Sequence, residues 1–157
     1  MDAKETDESA LKSLWGPVLA KSVPVQVYVE GASAKGKKAG AGIFFRSESP
    51  LNMSLTVPGP ERLSADRARL FAIHEAVQLI PSDKNILVFC TSKMIIRQIC
   101  YSAAKNTQLG WPGNNGDIFK SLVKLLAARN ASTCFVHVES RADNESKRAA
   151  YALARAG

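Results

Sequence analysis

No apolar run in this chain of 157 residues approaches the roughly 20 that a membrane-spanning helix needs. The opening residues MDAKETDESA are acidic and lack the apolar stretch of a secretory signal, so a soluble intracellular protein, nuclear or cytoplasmic, is expected. Cysteine is scarce: Cys90, Cys100 and Cys134 are odd in number, lie in apolar surroundings and lack CxxC spacing, which argues against zinc, a redox pair or a disulfide framework. They read as reduced core residues. The two histidines, His74 and His137, stand near no Cys, Ser or Asp in a ligand or nucleophile pattern and read as structural. No Walker loop, Rossmann glycine fingerprint or G-x-S-x-G elbow occurs. GASAKGKKAGAG lacks the G-K-[ST] ending of a phosphate loop and sits between two strands, so it reads as a hairpin turn.

What is present suits one globular domain with its own core, 46% apolar and 22% charged. Charge is uneven. Residues 1–21 set Asp2, Glu5, Asp7 and Glu8 against Lys4, Lys12 and Lys21 for a net −1, leaving +8 of the total +7 on residues 22–157. A basic domain tolerates phosphate backbones, although net charge alone does not single out nucleic acid. The division is therefore an acidic N-terminal tail with a short amphipathic segment, 1–21, and a basic domain, 22–157.

Within the tail, Leu11, Leu14, Trp15 and Val18 recur at helical spacing until Gly16-Pro17 breaks the pattern. This predicts a short amphipathic turn that folds back on the domain or docks a partner. Three strands are expected next: Val25–Glu30, Gly42–Arg46 and Leu51–Val57, the last with alternating Leu51, Met53, Leu55 and Val57. Ser64 is the expected N-cap of a helix carrying Leu70, Ile73, Val77 and Ile80 up to Pro81. Asn85–Cys90 reads as a buried strand, residues 92–105 as a helix with Ile95, Ile96 and Ile99 inward, and Asn106–Asn115 as a Gly/Pro-rich loop. A helix at 116–129, a strand at 133–138 and a helix at 143–155 complete the chain. Three hairpin-linked strands followed by alternating units imply an α/β fold, a five-stranded mixed sheet with helices on both faces.

That order, with the local sequences, resembles ribonuclease H of type 1 over about residues 24–156. VYVEGAS is similar to the family's first strand, which ends in Asp-Gly-Ser or a close variant, and AGAGIFF to its glycine-rich second strand. DRARLFAIHEAV resembles the helix R-A-E-L-x-A-I-x-x-A-L, and FCTSKMIIRQI the strand and helix start with Thr-Asp-Ser. GWPGNNGDIFKSLVKLL is similar to the tryptophan loop and following helix, and FVHVESRADNESKRAAYALA to the closing His loop and Ala-Asp-x-Leu-Ala. Together these six pieces in order imply the ribonuclease H-like fold.

The resemblance also implies a chemistry that needs clustered carboxylates, because two divalent metals about 4 Å apart must grip a phosphodiester. Matched position by position, the four acidic sites are held here by Glu30, Arg69, Thr91 and Tyr151, and the loop histidine by Arg141. One carboxylate of four survives and a cation replaces another, so loss of cleavage and of the metals, with no cofactor, is expected. Asp66, Asp143 and Glu145 are the nearest carboxylates that can substitute. Asp66 is equally explained as a first-turn acid at the positive end of a helix dipole.

The leading reading is thus a pseudoenzyme acting as a protein-interaction scaffold in a larger assembly, docking through Leu11, Leu14, Trp15 and Val18 or a sheet edge, with residual metal-independent nucleic-acid binding. A second reading is a nucleic-acid binding module for RNA, DNA or their hybrid, with Lys35, Lys37, Lys38, Lys93, Arg97, Lys105 and Trp111 on the phosphate-tracking face. A third is an active hybrid endonuclease with reassigned carboxylates.

Overall fold

The computed structural model describes residues 14–15, 23–34, 38–58 and 63–157. Its strands are β1 (Leu14–Trp15), β2 (Val25–Ala34), β3 (Lys38–Phe44), β4 (Met53–Thr56), β5 (Ile86–Cys90) and β6 (Thr133–His137). Its helices are α1 (Ala65–Leu79), α2 (Lys93–Cys100), α3 (Ala103–Gln108), α4 (Gly116–Ala127) and α5 (Glu145–Ala156). One mixed sheet runs β1-β6-β5-β2-β3-β4. The expected five strands form its body, with β2–β3–β4 antiparallel and β2–β5–β6 parallel.

β2 is the central strand because alternation gives it two usable faces: Val27 and Val29 are buried, while Tyr28 on the other face stacks on Phe89 of β5 with ring centroids 4.4 Å apart. Gly31 lies opposite Ala41 of β3, and a Cβ on Gly31 would stand 2.3 Å from the Ala65 carbonyl oxygen of α1. The next residue along β3, Gly42, faces the other way, and its Cβ would stand 1.9 Å from the Ala150 carbonyl oxygen of α5. So α1 and α5 pack backbone-close on opposite faces of the sheet. These glycines explain why β3 starts at Lys38, earlier than expected: AGAG is strand backbone laid bare for a helix, not turn. Lys35 and Lys37, between β2 and β3 in sequence, lie outside the described residues.

Helix boundaries follow their caps. Ser64 accepts from the Arg67 amide at 3.0 Å, Ser92 from Ile95 at 3.3 Å and Asn144 from Lys147 at 2.9 Å. The expected 92–105 helix is divided, because the amides of Tyr101 and Ser102 both return to the Arg97 carbonyl and close α2 before α3 begins. Under the sheet, Leu70 and Ile73 of α1, the three isoleucines of α2, Leu122 and Leu126 of α4 and Phe135 of β6 are fully buried. Each such side chain contributes about 1.5–3 kcal/mol of apolar burial. Cys90 and Cys134 are buried and Cys100 half-buried.

One expectation is corrected in the tail. Leu14–Trp15 is an extended strand, not a helical turn, and pairs antiparallel with Cys134 and Thr133. Helical spacing is weak in a segment that Gly16-Pro17 breaks, and the open edge of β6 offers its backbone groups partners. Leu11 and Val18 lie outside the described residues. Among the described residues no helix is long and apolar enough to cross a membrane.

Candidate functional site

Parallel pairing of β2 with β5 ends at Tyr28 and Phe89, whereas β2 continues alongside β3 to Ala34. Glu30 on β2 and Thr91, just past β5, therefore meet at the carboxyl ends of the parallel strands, where open α/β sheets bind their ligands. Gly31 completes the arrangement: α1 lies directly on it, which carries Arg69 to Glu30.

Glu30 is only 5% exposed, and its carboxylate is fully engaged. The Arg69 Nε donates to Oε1 at 2.6 Å, the Gly31 amide donates to Oε1 at 3.0 Å, and the Thr91 hydroxyl lies 3.2 Å from both oxygens. Asp66, one helical turn before Arg69, accepts from its other nitrogen at 2.9 Å. Burial pulls the Arg69 guanidinium down, but the bonds and charges of Glu30 and Asp66 outweigh it and hold it above its ordinary value. Next to the pair, burial pushes the Cys90 thiol up to about 12, against the opposing pull of the Ser92 amide and Arg69. Cys90 is thus an inert thiol, not a nucleophile.

Above the ion pair opens a cleft of about 500 Å³. Glu30, Arg69, Thr91 and Tyr151 all line it, together with Lys147, Arg148 and Arg155 of α5. Four cationic side chains thus surround one carboxylate. Divalent metals need several free oxygen ligands and negative charge. Here the carboxylate is neutralised by Arg69, Asp66 is committed to the same guanidinium, and Asp143 pairs with Arg148. Among the described residues no three His, Cys, Asp or Glu side chains gather as a metal-holding group. The donor set does not fit a metal pair.

The sequence profile of the RNase H family matches residues 22–157. The chain belongs to the RNase H family. The crystal structure of RNase H1 from the halophilic archaeon Halobacterium salinarum NRC-1 superposes with a TM-score of 0.59 at 20% identity, covering 85% of this chain and 96% of that one, which agrees in fold. No curated protein matches the chain in sequence.

Within this RNase H domain the four matched positions share one cleft, but Arg141 is exposed and does not line it; Ser140 beside it does. Lys38, exposed at the start of β3, lines a second cleft that shares Tyr151 and Arg155 with the first. Lys93 and Arg97 are exposed on α2 and Lys105 on α3, and none of the three lines either cleft. Trp111 is a correction: it is 6% exposed, stacked on Phe119 at 5.1 Å, and held by positive φ at Gly110, Trp111, Gly113 and Asn115 in a tight inward loop. It belongs to the core, not to a phosphate-tracking face.

His74 has a partner that its sequence neighbourhood does not show. Its Nε2 lies 2.8 Å from Ser121 Oγ of α4, and its Nδ1 lies 3.1 Å from Glu75 Oε1. The arrangement outlines a Ser–His–Glu chain, but Ser121 sits within a helix whose amides are spent on the helix ladder, leaving no donors for an oxyanion. It tethers α1 to α4. The second tether is Arg67, buried, donating to both oxygens of Asp117 at 3.0 and 2.9 Å and to Asn115 at 3.2 Å. Lys147, Arg148 and Arg155 were missed in the sequence, although with Tyr151 they repeat at helical spacing on the last helix.

Proposed function

We propose that this RNase H domain does not cleave, and that its altered site holds nucleic-acid phosphates directly, without metal. The observation that carries the reading is the Glu30–Arg69 ion pair beneath a cleft otherwise lined by Lys147, Arg148 and Arg155. Guanidinium groups grip phosphate oxygens in pairs through planar donors, so they supply the charge that metals supply elsewhere. Cleavage by reassigned carboxylates needs Glu30 and Asp66 released from Arg69 and further carboxylates brought in among the cations that line the cleft. The scaffold reading is weakened at one of its docking surfaces, because Leu14–Trp15 itself occupies the edge of β6.

The test has two arms. An RNA/DNA hybrid incubated with the protein and Mg²⁺ or Mn²⁺ stays intact; metal-dependent cuts that vanish in Glu30→Gln would overturn the reading. In metal-free buffer, nucleic acid binds with a logarithmic salt slope of about −3, corresponding to three or four neutralised phosphates. Absence of binding at low salt returns the domain to the scaffold reading.

A further inference from the structure

The two clefts beside α5 adjoin at Tyr151 and Arg155. The first holds the Glu30–Arg69 pair; the second, of about 450 Å³, runs past Ser33, Lys38 and Gly40 to the end of α5. Tyr151 and Arg155 line both. Arg148, Tyr151 and Arg155 stand at i−3, i and i+4 and so share one helix face, with the Cα atoms of the two arginines about 10 Å apart along the axis and Tyr151 between them in sequence. Tyr151 is 44% exposed, and its hydroxyl makes no hydrogen bond among the described residues. Arg155 and Lys38 make no ion pair among the described residues, and the Arg148–Asp143 pair is exposed on both sides and readily exchanged.

A lone exposed tyrosine on a helix is ordinary. This one lies in a groove, between cations, where the fold's other members carry the fourth carboxylate by resemblance. We infer that Tyr151 is a stacking platform for an unpaired base, with Arg148 and Arg155 holding the flanking phosphates, so that the groove takes single-stranded nucleic acid. The inference rests on the phosphate-holding reading above and specifies its ligand. Bases inside a duplex are already stacked on one another and cannot present a face to a ring at the groove wall. An unpaired base can, and aromatic rings flanked by cations favour single strands without reading their sequence.

Titration of labelled oligo(dT) and of a blunt RNA/DNA hybrid, followed by fluorescence anisotropy at low salt, tests this with the full chain. Because Tyr151 is exposed, Tyr151→Ala and Tyr151→Phe are expected to fold as the parent does. Oligo(dT) binds more tightly than the hybrid; Tyr151→Ala loses roughly ten-fold to a hundred-fold on oligo(dT), Tyr151→Phe loses little, and hybrid binding changes little in either. If Tyr151→Ala binds oligo(dT) as the parent does while Arg155→Ala weakens every ligand, the platform is wrong and the phosphate reading stands. A preference for the hybrid over oligo(dT) also overturns the platform. If the parent binds neither ligand, both readings fall.

Discussion

Arg69 Nε sits 2.6 Å from Glu30 Oε1, closing the crevice at the end of the parallel strands with an internal ion pair. The Glu30 side chain is 7% exposed and the Arg69 side chain 23%. At that burial the carboxylate depends on its partner, whereas Arg69 has Asp66 in reserve.

This asymmetry predicts unequal costs. Arg69→Ala strands a buried charge and destabilises by about 3–5 kcal/mol. Glu30→Gln leaves Arg69 paired with Asp66 and costs about 1–2 kcal/mol. The double variant Glu30→Gln/Arg69→Ala recovers most of the loss of Arg69→Ala, because no unpaired buried charge remains. Urea unfolding of the three variants and the parent reads the coupling, and additive costs would refute the pairing.

Restoring acidic residues at the matched positions creates a metal site. Arg69→Glu, Thr91→Asp and Tyr151→Asp together place four carboxylates around the cleft that these positions already line. Without metal the triple variant is destabilised by mutual repulsion. Added Mn²⁺ raises its melting temperature in proportion to the logarithm of metal concentration, and leaves the parent unmoved. Calorimetric titration checks stoichiometry.

The tether between α1 and α4 is sensitive to acid. The Arg67 hydrogen bonds hold the Asp117 carboxyl below its ordinary value of 3.8, despite the opposing effect of burial. A folded-state value below the unfolded one means that the stabilisation is fully present above about pH 4 and is lost as pH falls through the lower folded value. Asp117→Asn therefore costs stability at neutral pH, and the variant and parent converge as pH falls through the folded value. Parallel unfolding curves across that window, with a constant gap, would contradict this account.

Much of the architecture was legible because periodicity and caps are local. Ser64 caps where the sequence places it, and Ile95, Ile96 and Ile99 mark the buried face of α2. Local signals misled where tertiary partners decide. Leu14–Trp15 had helical spacing, yet the free edge of β6 drew it into the sheet. Trp111 read as a surface aromatic in a polar loop, yet left-handed backbone at Gly110 and Gly113 turns the loop so that its ring reaches Phe119. His74 showed no neighbour in sequence, because Ser121 lies 47 residues away on another helix.

By itself the sequence determined which residue types stand at the four matched positions, and hence that the site carries one carboxylate, one guanidinium, one hydroxyl and one aromatic ring. It also determined the order of the five main strands and the helical stretches between them, since hydrophobic period and capping act over a few residues. Only the tertiary structure decided that Arg69 neutralises Glu30 and does not point to solvent, because that contact depends on α1 lying directly on Gly31. It alone brought Arg148 and Arg155 of the last helix to the same cleft, because α5 lies backbone-close on the sheet at Gly40 and Gly42.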